Sequence, residues 1–233
     1  MPDSTFNIYA IGHAHLDPVW QWTKKEGYQE IFATFRSALD RMKEFPSVCF
    51  VASSAQFYEW VAEASPQMFE EIKTHVWEGR WILVGGWWIE SDINCCTGES
   101  LVRQGLYGQR FFNKYFGKKA QIGFSPDTFG HAWTLPQILK KQEMDSYFYM
   151  RPEPHEKNDL PAPLFIWEGP DGSKVLAVPI FTSYTAAAGD IEERMDEYIN
   201  RFSQTLPDIK DIAVYPLLSE TGHGVYMCRH KAL

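Results

Sequence analysis

Two hydrophobic periodicities alternate along the chain. Short apolar runs between turn residues predict strands, and apolar residues recurring every three or four positions predict helices. The predicted strands are residues 6–12, 48–53, 81–88, 121–125, 147–151 and 212–218. The predicted helices are residues 28–45, 66–78, 100–115, 135–143 and 190–202. The segment "FIWEGPDGSKVLAVP" predicts a β-hairpin that turns at Asp171 and Gly172.

The ends of the second predicted helix carry clear signals. Ser65 is a suitable N-cap, Pro66 suits the first helical position, and Gly79 is a suitable stop after the last turn. Strand–helix alternation of this kind favours parallel strands covered by helices, so we predict an α/β fold with a parallel-stranded, barrel-like (β/α) arrangement. In such folds the ligand site lies at the carboxyl ends of the strands.

Composition narrows the classes of partner. The chain has 233 residues with 45% hydrophobic residues, which suits one large globular domain. A net charge of −8 counts against binding to nucleic acid or to an anionic membrane. Aromatic residues, including nine Trp, make up 15% of the chain; we expect most of them to be core residues, although aromatic rings also serve as platforms for sugar rings.

The cysteines and the N-terminus indicate the compartment. We expect Cys49, Cys95, Cys96 and Cys228 to be free thiols, because no CxxC spacing occurs and adjacent cysteines rarely bridge. No secretory signal and no apolar run of about 18 residues is visible. A cytoplasmic protein is therefore expected, and the sequence does not indicate its oligomeric state.

The segment "GHAHLD" follows the first predicted strand. In an extended chain the side chains of His13, His15 and Asp17 point the same way, because the strand period is two. His15 and Asp17 could then bind one metal ion. The alternative is a polar strand end in which the imidazole and the carboxylate bond to each other.

Two further strand ends carry acidic side chains. In "GFSPDTFGHAW", Asp127 could be a metal ligand, a nucleophile or a turn residue that bonds its own backbone, and His131 a further ligand or a packing residue. In "GGWWIESDIN", Glu90 and Asp92 are paired carboxylates of the kind that acid–base or glycosidic chemistry requires. Arg151, at the end of another predicted strand, could bind substrate hydroxyls or balance these carboxylates.

Four ordered motifs carry a family resemblance that covers the chain to about residue 180. "GHAHLDPVW", "GGWWIESDINCCTGESLVRQGLYGQRFFNKYFG", "GFSPDTFGHAWTLPQILKK" and "FIWEGPDGSKVLA" resemble the N-terminal catalytic domain of glycoside hydrolase family 38, the zinc-dependent α-mannosidases. The resemblance implies residues 1–218 as this α/β domain and residues 219–233 as an atypical tail. It implies Zn²⁺ as cofactor, an α-mannoside or mannose-containing glycan as substrate, and retention of configuration.

The resemblance also implies roles for particular residues. His15 and Asp17 match zinc ligands, and Asp127 matches the residue that is both ligand and catalytic nucleophile. The substrate-binding positions are matched by Trp20, Phe129 and Arg151, and a supporting, non-ligand histidine by His13. A retaining enzyme of this kind also needs a carboxylic acid about 5–5.5 Å from the nucleophile.

The resemblance stops before the end of the chain. Family members are longer, with a fourth ligand histidine and the general acid well beyond these motifs, so we expect this chain to be a truncated form, with a domain incomplete at its C-terminus. His223 and His230 are weak replacements for the missing ligand, and Glu90 and Asp92 are weak candidates for the acid. The general acid is therefore left unassigned.

Two other functions stay open. A non-catalytic fragment could keep part of the zinc- and mannose-binding layer without turnover. A zinc amidohydrolase or deacetylase could also carry His-X-His after its first strand. The motif around Asp127, and the lack of a recognisable later ligand lysine or spaced histidine ligands, count against that last alternative.

Overall fold

The computed structural model describes residues 7–152, 164–180 and 211–214, together with residues 196, 199, 200 and 204. Its strands are β1 (Asn7–Ala10), β2 (Gly12–His13), β3 (Phe50–Ala52), β4 (Trp81–Leu83), β5 (Ile122–Ser125), β6 (Ser146–Tyr149), β7 (Phe165–Glu168), β8 (Lys174–Pro179) and β9 (Asp211–Val214). Its helices are α1 (Lys24–Glu44), α2 (Ala55–Ala64), α3 (Pro66–Trp77), α4 (Gly98–Phe116) and α5 (Leu135–Lys141).

The described strands form three sheets. β1 pairs with β9, β2–β3–β4 form a second sheet, and β5–β6–β8–β7 form a third. Every pairing is parallel except that of β7 with β8, which is the predicted hairpin. The prediction of a mixed α/β fold with parallel strands is confirmed. The described strands contain no closed sheet, so the barrel-like closure stays a prediction.

The predicted strand over residues 81–88 is too long, and the prediction missed α2. β4 ends at Leu83 because Gly85 and Gly86 adopt positive φ angles of 81° and 68° and turn the chain. The carbonyl groups of Trp87 and Trp88 then accept hydrogen bonds from the first two amides of α2. These carbonyls satisfy donors at the helix start that Ser54, the N-cap residue, does not bond with its side chain.

The predicted ends of α3 are largely correct. Pro66 is the first helical residue, and Gly79 has a φ of 74° just past the last turn. Ser65 stands at the N-cap position, but its side chain makes no capping hydrogen bond. Most of the predicted helix over residues 190–202, and the end of the predicted strand beyond residue 214, lie outside the described residues.

Two large apolar clusters form most of the core of the described residues. The larger lies among α1, α2, α3, α4, β3 and β4, and the smaller joins Trp87 to α5, β6 and β8. Cys49, Cys95 and Cys96 are free thiols, as predicted, and Cys228 lies outside the described residues. Among the described helices, none has the length and apolar character needed to cross a bilayer.

Candidate active site

The candidate site lies beyond the carboxyl ends of parallel strands. His15 and Asp17 follow β2, Glu90 follows the turn after β4, and Asp127 follows β5. Because parallel strands bring their carboxyl ends to one side of a sheet, these residues can meet there. They line a pocket of about 140 Å³, to which Phe129 also contributes.

His13 and His15 lie in different environments, one at the end of β2 and one in the loop that follows it. Pairing of β2 ends at His13, and residues 14–17 have no regular structure. His13 is only 2% exposed, and its ring packs edge-on against Phe124 with centroids 4.8 Å apart. Burial and the neighbouring His15 lower the pKa of His13 to about 3, so its ring is neutral. His13 therefore lies in the core beneath the pocket, where a supporting residue is expected.

His15 is the centre of the cluster. Its Nε2 atom lies 3.6 Å from Oδ1 of Asp17 and 3.7 Å from Oδ2 of Asp127, and its Nδ1 atom lies 3.7 Å from Oε2 of Glu90. Burial lowers the pKa of the imidazole, but the nearby carboxylates of Glu90 and Asp17 outweigh this effect and raise it to about 10. The carboxylates thus favour positive charge at the centre of the pocket.

Arg151 pairs with Asp127. The Nε–H group of Arg151 donates a hydrogen bond of 2.8 Å to Oδ1 of Asp127, whose side chain is only 18% exposed. The guanidinium carbon also lies 4.8 Å from the centre of the Phe129 ring, within the range of a cation–π contact. The structure therefore brings together Asp127, Phe129 and Arg151, three of the predicted site residues.

Glu90 contacts more of the site than the sequence indicated. Its Oε1 atom lies 3.4 Å from the hydroxyl of Ser125 and from the amide nitrogen of Asp127, and accepts hydrogen bonds from both. Its own amide donates to the hydroxyl of Ser54 at 3.1 Å. Both carboxylate oxygens therefore face protein groups, which suits a supporting residue better than a general acid. The signals in the sequence are its pairing with Asp92 and its position after the Gly85–Gly86 turn.

Asp92 presents a different environment in the same pocket. Its Oδ2 atom accepts a hydrogen bond from the thiol of Cys95 at 3.3 Å. Its Oδ1 atom is buried and has no hydrogen-bond partner within the described part of the chain. A carboxylate oxygen in this state can accept a hydrogen bond from a substrate hydroxyl.

Other predicted residues do not join the pocket directly. His131 bonds to the carbonyl oxygen of Arg151 and to the hydroxyl of Tyr147, so in this arrangement it is not directed at the His15 cluster. Trp20 is 59% exposed and packs edge-on against Trp22, and the residues that line the pocket do not include it. His223 and His230 lie outside the described residues.

The potential metal donors of the pocket lie near one another but not in a coordinating arrangement. Nε2 of His15 lies 3.6 Å from Asp17 and 3.7 Å from Asp127. Within the ranges that the structure describes, no three His, Cys, Asp or Glu side chains are arranged so that they could hold a metal ion. A shared ion would therefore require the side chains to move closer together.

Fold and pocket together define an α/β domain with a candidate site at the ends of parallel strands. Residues 5–216 match the family model of the N-terminal domain of the glycosyl hydrolases of family 38, and the chain belongs to this family. This membership favours a glycosidase over the amidohydrolase alternative. The predicted boundary at residue 218 stays a prediction.

Named relatives agree with this assignment, and a solved structure has a similar fold. The chain is 38% identical over 192 residues to alpha-mannosidase G of Dictyostelium discoideum, covering 82% of this chain and 18% of that protein. It is 37% identical over 189 residues to alpha-mannosidase of Saccharomyces cerevisiae, covering 79% of this chain and 18% of that protein. An alpha-mannosidase structure from Enterococcus faecalis V583 has a similar fold, with a TM-score of 0.73 at 20% identity over 90% of this chain and 24% of that one. The chain thus spans about a fifth of the length of the relatives it matches.

Proposed function

We propose that this chain carries the nucleophile and part of the zinc site of a retaining α-mannosidase. The observation that carries the proposal is the convergence of His15, Asp17 and Asp127 in one pocket of a family 38 domain. The substrate is an α-mannoside or a mannose-containing glycan, in keeping with the names of the relatives.

In this proposal Asp127 is the nucleophile. One carboxylate oxygen attacks the anomeric carbon, the glycosidic C–O bond breaks, and the leaving oxygen takes a proton from a general acid. Water, deprotonated by the same acid group acting as base, then displaces Asp127 and releases the sugar with its configuration retained. Arg151 holds Oδ1 of Asp127, which orients the carboxylate and stabilises its negative charge. Neither Glu90 nor Asp92 is assigned as the acid.

The donor types support zinc at the same place. One imidazole nitrogen and two carboxylates are common zinc ligands, and zinc–ligand bonds of about 2.0–2.2 Å set tetrahedral neighbours roughly 3.4 Å apart. The distances of 3.6 and 3.7 Å from Nε2 of His15 to Asp17 and Asp127 are slightly larger, so small side-chain rotations would bring them within reach of one ion. When bound, zinc would act as a Lewis acid on neighbouring sugar hydroxyls.

The surrounding side chains suit a sugar. Phe129 is 67% exposed beside Asp127 and offers an aromatic face, and the exposed ring of Trp20 offers another on the first loop. Asp92 offers a carboxylate oxygen to a substrate hydroxyl. In the proposal these three side chains and Arg151 contact the substrate.

Hydrolysis of an aryl α-mannoside tests the proposal. We expect the Asp127→Asn variant to lose at least about 10³-fold in kcat, because the amide is a very poor nucleophile. A zinc chelator should also abolish the wild-type activity. The matched control is Asp145→Asn, which makes the same chemical change at an exposed carboxylate paired with Lys140.

The possible results separate the two functions. Full activity in Asp127→Asn would rule out the nucleophile role. Binding of the mannoside by the wild-type chain with no turnover would instead support the non-catalytic alternative. Calorimetric titration with the same aryl mannoside measures that binding directly.

A further inference from the structure

We infer that His131 is a positioning residue that fixes Arg151 against Asp127, with Tyr147 holding the imidazole in one tautomer. The inference deepens the proposed function, because it concerns the residue that orients the nucleophile. It rests on two hydrogen bonds, to Tyr147 in β6 and to Arg151 just beyond it, that the ligand interpretation of His131 does not use.

The two hydrogen bonds determine the tautomer of His131. Its Nε2 atom lies 2.6 Å from the carbonyl oxygen of Arg151. A carbonyl oxygen only accepts, so Nε2 must carry the proton and donate. The neutral ring then presents a lone pair at Nδ1, and the hydroxyl of Tyr147, 3.1 Å away, donates to it. Burial lowers the pKa of His131, which agrees with a neutral ring.

Packing holds the imidazole plane in place. The ring lies edge-on against Tyr149, with centroids 4.6 Å apart, and also contacts Tyr147 and Trp167 at 5.5 and 6.0 Å. Tyr147 is itself fully buried. The donor at Nε2 therefore has a fixed direction, and this direction is toward the main chain of Arg151.

Arg151 needs such support because it follows the end of its strand. β6 ends at Tyr149, so the regular pairing of the sheet stops two residues before Arg151. The bond from His131 fixes the carbonyl group of Arg151, and its side chain reaches Oδ1 of Asp127 at 2.8 Å. A displacement of about 1 Å at a catalytic group can lower a rate by as much as about 10²-fold.

Two amide substitutions separate positioning from simple packing. In His131→Gln the side-chain amide nitrogen can take the place of Nε2 and donate to the carbonyl of Arg151. In His131→Asn the shorter side chain reaches only the Nδ1 position, near Tyr147. We expect His131→Gln to retain kcat within about threefold and His131→Asn to lose at least about 10-fold, with KM nearly unchanged in both.

A spectroscopic measurement tests the same contact without turnover. The Nε–H resonance of Arg151 should be slow to exchange in the wild type and in His131→Gln, and fast to exchange in His131→Asn. Its assignment comes from its absence in Arg151→Lys. Tyr147→Phe, which removes the donor to Nδ1, should accelerate the exchange as well.

Each result bears on one conclusion. Equal losses of kcat in His131→Gln and His131→Asn, in proportion to a loss of thermal stability, would overturn the positioning role. So would a slowly exchanging Arg151 Nε–H in His131→Asn. Retained activity in Asp127→Asn would instead overturn the proposed function, while the exchange measurement would still report on His131.

Discussion

Glu90 connects the segment after β4 to the segments after β2, β3 and β5. Its carboxylate contacts His15 on the loop after β2 and the amide of Asp127 on the loop after β5, and its own amide bonds Ser54 after β3. A histidine that binds a metal through one nitrogen is commonly held at the other nitrogen by a carboxylate, which fixes its orientation and raises its basicity. Glu90 lies on the Nδ1 side of His15, where such a carboxylate belongs.

Removing the charge of Glu90 should weaken the proposed zinc site. For Glu90→Gln we expect zinc affinity to fall by about 10–100-fold, because His15 loses the carboxylate that orients it. Competition with a chromophoric chelator measures the affinity without reference to activity. Glu168→Gln, an exposed glutamate paired with Lys174, is the control and should bind zinc as the wild type does. Unchanged affinity in Glu90→Gln would exclude this role.

The sequence located some site residues better than others. His15, Asp17 and Asp127 could be placed in one layer because each directly follows a strand, and strand ends are predictable from hydrophobic runs. Glu90 was predicted only as one of two paired carboxylates, because its contacts in the site join residues 35 to 75 positions apart in the chain. Trp20 was predicted from the resemblance, and its side chain does not line the pocket.

At the scale of elements, α4 contains glycines that lower its helix propensity but allow close packing against its neighbours. The helix contains Gly105 and Gly108 within its interior and buries both. A Cβ atom at Gly108 would lie 2.4 Å from the carbonyl carbon of Trp87 and 2.5 Å from the carbonyl oxygen of Gly86. The glycine thus lets α4 approach the segment that turns away from β4 and leads to Glu90.

Gly108→Ala should therefore destabilise the protein. In an open helix, alanine is more favourable than glycine by about 1 kcal/mol. At this position we expect a net loss of about 1–3 kcal/mol in the free energy of unfolding, because the contacts are with backbone atoms that cannot rotate away. Urea denaturation measures the loss. The control is Gly98→Ala at the start of the same helix, where no atom would lie within 4 Å of the new Cβ, and it should be neutral or stabilising. A stabilised Gly108→Ala would contradict this account.

Elements were predicted where local signals agree and missed where tertiary contacts decide. The hairpin at Asp171 and Gly172 and the start of α3 at Pro66 follow from turn and helix-end residues. The predicted strand over residues 81–88 was too long because the apolar run continues past its Gly-Gly turn. α2 was missed because its first amides bond to the distant carbonyls of Trp87 and Trp88 rather than to a local cap.

At the scale of the whole molecule, hydrogen bonds add to the apolar clusters in connecting the helices and the sheets. Gln142, just after α5, accepts a hydrogen bond from the indole of Trp87 and donates one to the carbonyl of Leu101 on α4. After β4 the amide of Gly85 bonds the carbonyl of Ile122, which links the sheet of β2–β3–β4 to that of β5–β6–β8–β7. The sequence predicted that the strands pair in parallel but not the order in which they pair. The connections through Gln142 and Gly85 depend on single residues that belong to no periodic pattern.

Gln109 on α4 tests whether these connections contribute to stability. Its amide nitrogen donates to the carbonyls of Ala120 and Gln142 at 2.7 and 2.9 Å, and its oxygen accepts from the amide of Ala120 at 3.0 Å. Gln109→Leu keeps a side chain of similar size but leaves three backbone groups without this partner. We expect a loss of about 2–4 kcal/mol in the free energy of unfolding, because buried polar groups without partners cost about 1–3 kcal/mol each and some will form other hydrogen bonds.

Gln67→Leu, at an exposed position of α3, makes the same exchange and should change stability by less than about 0.5 kcal/mol. If both variants unfold at the same denaturant concentration, the polar connection through Gln109 adds nothing measurable, and the apolar clusters alone hold α4 against the third sheet.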